Sequence, residues 1–195
     1  MNKIFKVISF SLIFGGLLLI GLIYAPILKE EIRYRTLTSK LPIDQKEAVV
    51  PQSKEFGLLI PKIGVNAKIF ANVDGQNPKE YMPLLAKGVA HAKGSALPGQ
   101  PGNVFIFAHS SDTPFNVARY NAAFYLISKL NPGDEILVYY QQKEYLYEMV
   151  GKKILSLEKL NSFVKNLKGE NIILQTCYPP GTIINRLLVM GKRID

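Results

Sequence analysis

Few side chains in this chain are suited to proton or acyl-transfer chemistry near neutral pH: Cys177, His91 and His109. Cys177 is the only cysteine and stands in "NIILQTCYPPG", where an apolar run gives way to two prolines and a glycine. Covalent cysteine chemistry needs a thiolate, a neighbour that manages protons and a donor for the developing oxyanion. His109 ends the apolar run of "NVFIFAH" and opens "SSDTPF", so it shares the setting of Cys177 at a strand end facing a loop. Arg186 follows Cys177 by nine positions, across the Pro-Gly connection, and a hairpin there returns its guanidinium to the sulfur. Arginine stays charged and offers paired donors to a carbonyl or carboxylate. Each residue also has a plain structural reading: a buried cysteine as a small apolar side chain, a histidine on a polar rim, an arginine in solvent.

A metal centre is poorly supported. One cysteine and two histidines give at most three borderline ligands, and none is at a close paired spacing. Asp74, Glu80, Asp112 and Glu144 fall in or near expected loops without the array of a calcium-binding loop, and a modulating calcium site stays open.

The elements that must position these residues are short and β-rich. Segments "FGLLIPKI", "NAKIFA", "GNVFIFAH", "EILVYY", "YLYEMV", "KILSL", "NIILQTC" and "RLLVMGKR" alternate with Gly, Pro, Asn and Asp, which predicts an all-β barrel or sandwich of eight strands. Helices are few: "NPKEYMPLL" with Asn77 as cap and Pro78 at the first position, and "SLEKLNSFVKNL", where Leu157, Leu160, Val164 and Leu167 share a face behind Ser156. A further helix is expected within "PFNVARYNAAFYLISKL".

With 195 residues, 48% apolar and 20% charged, the chain has room for one domain and an appendage and is too apolar for disorder. The net charge of +9 is spread along the chain with no arginine-rich run, which argues against nucleic acid and for an anionic membrane or wall polymer nearby. From Val7 to Leu28 there are 22 residues without a charge. At 1.5 Å per residue these reach about 33 Å, enough to cross a hydrocarbon core. The run exceeds the apolar core of a cleaved signal and has no small-x-small site after it, so a retained transmembrane anchor is expected. The expected organisation is a cytoplasmic tip and anchor over 1–28, an extracytoplasmic linker over 29–55, partly helical near its start, and a globular domain over 56–195 at the outer face of the cell membrane. A lone cysteine outside the cell is a working thiol more readily than a staple.

Two stretches resemble the sortases. "ILQTCYPPGTIINRLLVMGKR" is similar to their active-site cysteine strand, loop and arginine-bearing strand; "GVAHAKGSALPGQPGNVFIFAHSS" is similar to the stretch that leads through a G-V-x-H to the catalytic histidine. With "LLIPKIGVNAKIF" and "NPGDEILVYYQQKEYLYEMV", the resemblance covers about residues 56–194. It implies an eight-stranded sortase-type β-barrel with a few short helices, and a cysteine transpeptidase. Such an enzyme cleaves an L-P-x-T-G-like sorting signal on surface proteins and transfers the acyl group to an amine of a peptidoglycan precursor or a pilin lysine. On that basis Cys177 is the nucleophile, His109 the general acid/base and Arg186 the residue that positions the signal and stabilises the oxyanion. Thr176 is assigned to the groove or oxyanion site, Asp112 to tuning of His109, and no cofactor is required. The resemblance is closest to sortases of classes C, D and E, although no D-P-W or D-P-F lid motif is present. Two alternatives stand beside it: a sortase-fold cysteine hydrolase, and a tethered barrel that binds wall polymer or surface proteins without chemistry.

Overall fold

The β-rich segments close on themselves. The computed structural model describes the backbone of residues 3–40, 50–110 and 123–195. Eight strands form a closed barrel in the order β1-β2-β3-β4-β7-β8-β6-β5. They are β1 (Phe56–Ile60), β2 (Val65–Val73), β3 (Val89–Ala92), β4 (Val104–Phe107), β5 (Glu135–Tyr140), β6 (Lys143–Ser156), β7 (Asn171–Tyr178) and β8 (Asn185–Arg193). The number matches the expected eight, but two differences cancel. "YLYEMV" and "KILSL" belong to the single strand β6, whose pairing with β8 shifts register between Met149 and Gly151. The strand β3 was not among the expected segments.

Closure buries one face of every strand. Leu58, Ile106, Ile136, Val138, Tyr147, Ile172, Leu174 and Val189 fill the interior, each 2% exposed or less. Burying a side chain such as Leu174 contributes about 1.5–3 kcal/mol relative to leaving it in water. A second, smaller cluster lies on the outer wall, where Leu160 of helix α3 (Leu157–Asn166) covers Ile173 and Leu188, with Phe163 and Val164 beside it. Ser156 is the N-cap of α3 but makes no side-chain capping bond, and Leu157, expected on the apolar face, stands 57% exposed. Helix α2 (Pro78–Leu85) begins with Pro78 as expected, while Asn77 takes the N-cap position without a side-chain capping bond, and the helix packs against β2 and β3.

Helix α1 runs from Lys3 to Lys40, through the uncharged run and into the expected linker. Its side chains are described without a break over 5–21. Among the described residues no helix is long and apolar enough to cross a membrane. Of the helix expected in "PFNVARYNAAFYLISKL", residues 114–122 lie outside the described residues, and the remainder holds a 3-10 turn at Ile127–Lys129.

The register gives the barrel two distinct ends. β1 is antiparallel to β2 and β5, β2 is parallel to β3, β4 is parallel to β7, and β8 is antiparallel to both β7 and β6. One end, called upper here, therefore gathers the C-terminal ends of β1, β4, β6 and β7 with the N-terminal ends of β2, β3, β5 and β8.

Candidate active site

The upper end brings the three chemical residues into one row. Cys177 of β7 is the direct cross-strand partner of Arg186 on β8. On the other side, β4 and β7 pair in parallel with Phe107 opposite Gln175, and the ladder continues as the Ala108 amide donates to the Gln175 carbonyl at 3.1 Å. His109, two positions past Phe107, then falls at the level of Cys177. Neighbouring strands lie about 4.8 Å apart, so the sulfur sits between an imidazole-bearing and a guanidinium-bearing chain, each one strand spacing away.

Cys177 and Arg186 share the outer face. Side chains alternate along a strand. Ile172 and Leu174 belong to the interior core and Ile173 to the outer cluster, so Cys177, in step with Ile173 and Gln175, points outward. Arg186 is in step with Leu188, which packs under α3, and points the same way. Cys177, His109 and Arg186 are each half-buried, which suits groups that must be supported by the wall yet reached from a groove.

The arginine is held at the mouth of its loop. Its Nη1 donates to the Ile183 carbonyl at 3.0 Å and to the Asn185 carbonyl at 3.1 Å. These bonds order the connection between Cys177 and Arg186 through one nitrogen of the guanidinium. His109 is flanked by Tyr81 of α2, ring centroids 6.5 Å apart, and Tyr81 in turn meets Phe107 edge-on at 6.1 Å. Tyr81 thus stands beside His109 at the upper end. It was not singled out from sequence, although its place in a short amphipathic helix after Asn-Pro was legible.

Thr176 occupies a different place from the one expected. It is in step with Ile172 and Leu174, is 2% exposed, and therefore faces the interior and not the groove. Its Oγ1 donates to the Ala108 carbonyl at 2.9 Å. The hydroxyl proton is spent on the strand that carries His109, so Thr176 ties the histidine strand to the cysteine strand in place of an oxyanion contact. Asp112, assigned to tuning of His109, lies outside the described residues.

His91 is accounted for by packing. It is 2% exposed, its Nδ1 accepts from the Asn72 amide at 3.3 Å, and Nε2 donates to the Ala96 carbonyl at 3.0 Å, with the Ser95 hydroxyl 2.8 Å away. That arrangement specifies the neutral imidazole with its proton on Nε2. Burial pushes its pKa below 6.5, partly opposed by the bond to Ala96. His91 pins the bend around Asn72, whose φ is 57°, and is separate from the row at Cys177.

Behind the row, on the inner side of β7, a depression of about 260 Å³ is lined by Ser128, Lys152, Lys153, Ile154, Tyr178 and Leu187. Among the described residues, no group of three or more His, Cys, Asp or Glu side chains converges to hold a metal ion.

Comparison with known proteins bears on this arrangement. The family model described as Sortase domain matches residues 58–194. Sortase D of Bacillus subtilis (strain 168) is 29% identical over 140 residues, a match that covers 70% of this chain and 62% of that protein. The chain thus spans less than two thirds of the length of that curated relative. Sortase E1 from Streptomyces coelicolor, solved with a tripeptide in its active site, superposes with a TM-score of 0.59 at 26% identity, covering 75% of this chain and 92% of that one. Sortase C-1 from Actinomyces oris gives 0.58 at 24% identity, with 87% and 85% covered. A lid mutant of sortase A from Corynebacterium diphtheriae gives 0.59 at 23% identity, with 87% and 92% covered. The last two show likeness of fold.

Proposed function

Because the chain belongs to the sortase family, we propose that it is a membrane-anchored cysteine transpeptidase acting at the outer face of the cell membrane. The observation that supports this most directly is the register pairing of Cys177 with Arg186, with the end of the His109 strand on the other side. The Cys177 thiolate attacks the threonine carbonyl of an L-P-x-T-G-like sorting signal, forming the Sγ–C bond and pushing charge onto the oxygen. The Arg186 guanidinium takes up that charge, since a preformed cation in a partly dry groove stabilises it without reorganising. The Thr–Gly C–N bond then breaks as His109 protonates the leaving amine, giving a thioester. An amine of a peptidoglycan precursor or of a pilin lysine loses a proton to His109 and attacks the thioester. An amide forms, the Sγ–C bond breaks and the thiolate returns. The cycle uses side chains and no cofactor.

The uncharged run Val7–Leu28 serves as the anchor in this reading, with residues 29–55 as the link to the barrel. It is supported by run length and by α1, which is helical through it. The test is acceptor trapping: the chain is incubated with a sorting-signal peptide and an amine, and products are identified by mass spectrometry. The amide is the expected product. The free acid alone would make the chain a hydrolase. No cleavage by wild type, or cleavage that persists in folded Cys177→Ala, would remove the proposal.

A further inference from the structure

The barrel end that carries Cys177 is also the end that meets the N-terminal helix. Glu31 of α1 forms an ion pair with Lys129 at 3.4 Å and another, one turn along, with Arg35 at 3.5 Å. Lys129 closes the 3-10 turn Ile127–Lys129. That turn is fastened to β6 by Lys152, whose Nζ donates to the carbonyls of Ser128 and Leu130, both at 2.7 Å. Ser128 in turn lines the depression together with Tyr178, the residue after Cys177. A set of contacts therefore runs from α1 to β6, and the depression beside it extends to Tyr178 on the strand of the nucleophile.

The position of Glu31 along α1 sets the height of this end. Glu31 lies three residues past Leu28, where the uncharged run stops. Three helical residues rise about 4.5 Å, while each headgroup layer outside the hydrocarbon core is about 5–7 Å thick. A barrel end fastened at Glu31 stands within that layer.

The same end exposes apolar side chains where soluble loops usually present polar ones. Ile183 is 80% exposed and Ile184 68%, in the connection from β7 to β8; Ile154 at 48% and Leu157 at 57% stand at the junction of β6 and α3. Register makes them neighbours. Ser156 is paired with Asn185, and Leu157 and Ile184 step outward from that last pair. Lys153 and Lys159 lie beside them in sequence, with the carboxylate Glu158 between. An apolar tip bordered by lysine is the composition of a surface that inserts shallowly into an anionic interface.

We infer that the upper end of the barrel is a membrane-docking surface, its partner a phospholipid bilayer carrying anionic headgroups, with Ile183, Ile184 and Leu157 inserted and Cys177 held at headgroup level. The inference rests on the reading of Val7–Leu28 as a membrane span. Its consequence is that a peptide substrate reaches the thiol along the bilayer surface, as a segment still anchored by its own apolar tail would.

The experiment uses the full chain as Cys177→Ala, reconstituted in vesicles of phosphatidylglycerol and phosphatidylcholine. One new cysteine is placed at Ile184 or, for contrast, at the exposed Lys93, just past the C-terminal end of β3 at the lower end, and carries an environment-sensitive fluorophore. Spin-labelled lipid is expected to quench the label at 184 roughly threefold more than the label at 93, because only the upper end would meet the interface. Lys129→Glu, which opposes Glu31, is expected to reduce that contrast. Equal quenching at both positions, in a chain that resists carbonate extraction, would overturn the docking and leave the anchor standing. Release of the chain by carbonate would remove the anchor and the docking together. A label at 184 shielded only when a sorting-signal peptide is added would assign the surface to substrate and overturn the inference.

Discussion

Thr176→Val is the substitution that most directly probes how the site is held together. Valine matches threonine in shape and replaces only the hydroxyl, so the packing against the barrel interior is retained. What is lost is the 2.9 Å bond from Oγ1 to the Ala108 carbonyl, buried beside a residue 2% exposed. A buried hydrogen bond contributes about 0.5–1.5 kcal/mol net, and leaving a carbonyl without its partner raises the cost to about 1–3 kcal/mol. For a domain of this size the melting temperature falls by about 2–12 °C. The larger effect is expected on chemistry. Ala108 precedes His109 and Thr176 precedes Cys177, so the bond fixes the offset between imidazole and sulfur. A slip of about 1 Å in such a pair costs about a hundredfold in rate. The assay measures kcat and KM for cleavage of a sorting-signal peptide as a function of pH, with melting temperature in parallel, for Thr176→Val and Thr176→Ser. Serine keeps the hydroxyl and should restore most of kcat. In the valine variant kcat should fall with little change in KM, and the pH profile should move if Cys177 and His109 act as the proposed pair, since the titrations of two such groups in contact are coupled. Valine with wild-type kcat and an unmoved profile would refute the positioning role.

Three further outcomes follow from the same contacts. Arg186→Lys keeps the charge but loses the planar fork, and kcat/KM should fall about a hundredfold, as when one oxyanion donor is removed, with the melting temperature nearly unchanged because the residue is half-buried at a loop. His91 is held neutral by burial, with its pKa below 6.5. The folded state therefore binds fewer protons than the unfolded state, so stability is fully present above pH 6.5 and declines as pH falls from there toward the folded pKa; thermal denaturation across pH 7 to 5 should show that slope, and His91→Gln should flatten it. Gly191→Ala would place a methyl 2.8 Å from Ile172 Cγ2 and 3.3 Å from the Glu148 carbonyl. Overpacking of this kind costs about 1–3 kcal/mol, and since Gly191 pairs far from Cys177, kcat/KM measured well below the melting temperature should be unaffected.

What could be seen in the sequence depended on whether the relevant pairing is local. Cys177 and Arg186 are joined by a short Pro-Gly connection, and an antiparallel hairpin with that spacing must bring them together. The pairing of Cys177 with the His109 strand has no such local signal. The two segments are 68 residues apart and parallel, and parallel neighbours need a crossover whose partner strand is not marked by a turn. The shared setting of the two residues at strand ends facing loops, and then the family resemblance, pointed to it. The strand β3 escaped notice because "VAHA" has two alanines and four residues, too little to register as an apolar run. β6 was divided in two because Gly151 with two lysines after it reads as a turn, yet it sits at a register shift inside one strand. Thr176 was placed in the groove because it adjoins Cys177 in sequence, whereas strand alternation sends adjacent residues to opposite faces.

The arrangement of strand directions explains why the nucleophile stands in the middle of its row. In an antiparallel barrel each strand end is next to a strand start, so a residue at the end of one strand faces the beginning of its neighbours. The parallel pair β4–β7 breaks that rule and ends two strands together at the upper end. His109 and Cys177 can each be followed directly by a loop, and those loops can shape the groove without disturbing the pairing beneath. Ligand sites in open sheets commonly lie at the carboxyl ends of parallel strands for the same reason. β8, antiparallel to β7, then supplies a residue from its start, and Arg186 arrives held by carbonyls of the loop that precedes it. Two strand ends and one strand start thus converge where the wall is locally parallel on one side of Cys177 and antiparallel on the other. The Thr176 bond to Ala108 lies one residue below that row, on the buried face, where it can fix the offset without meeting substrate.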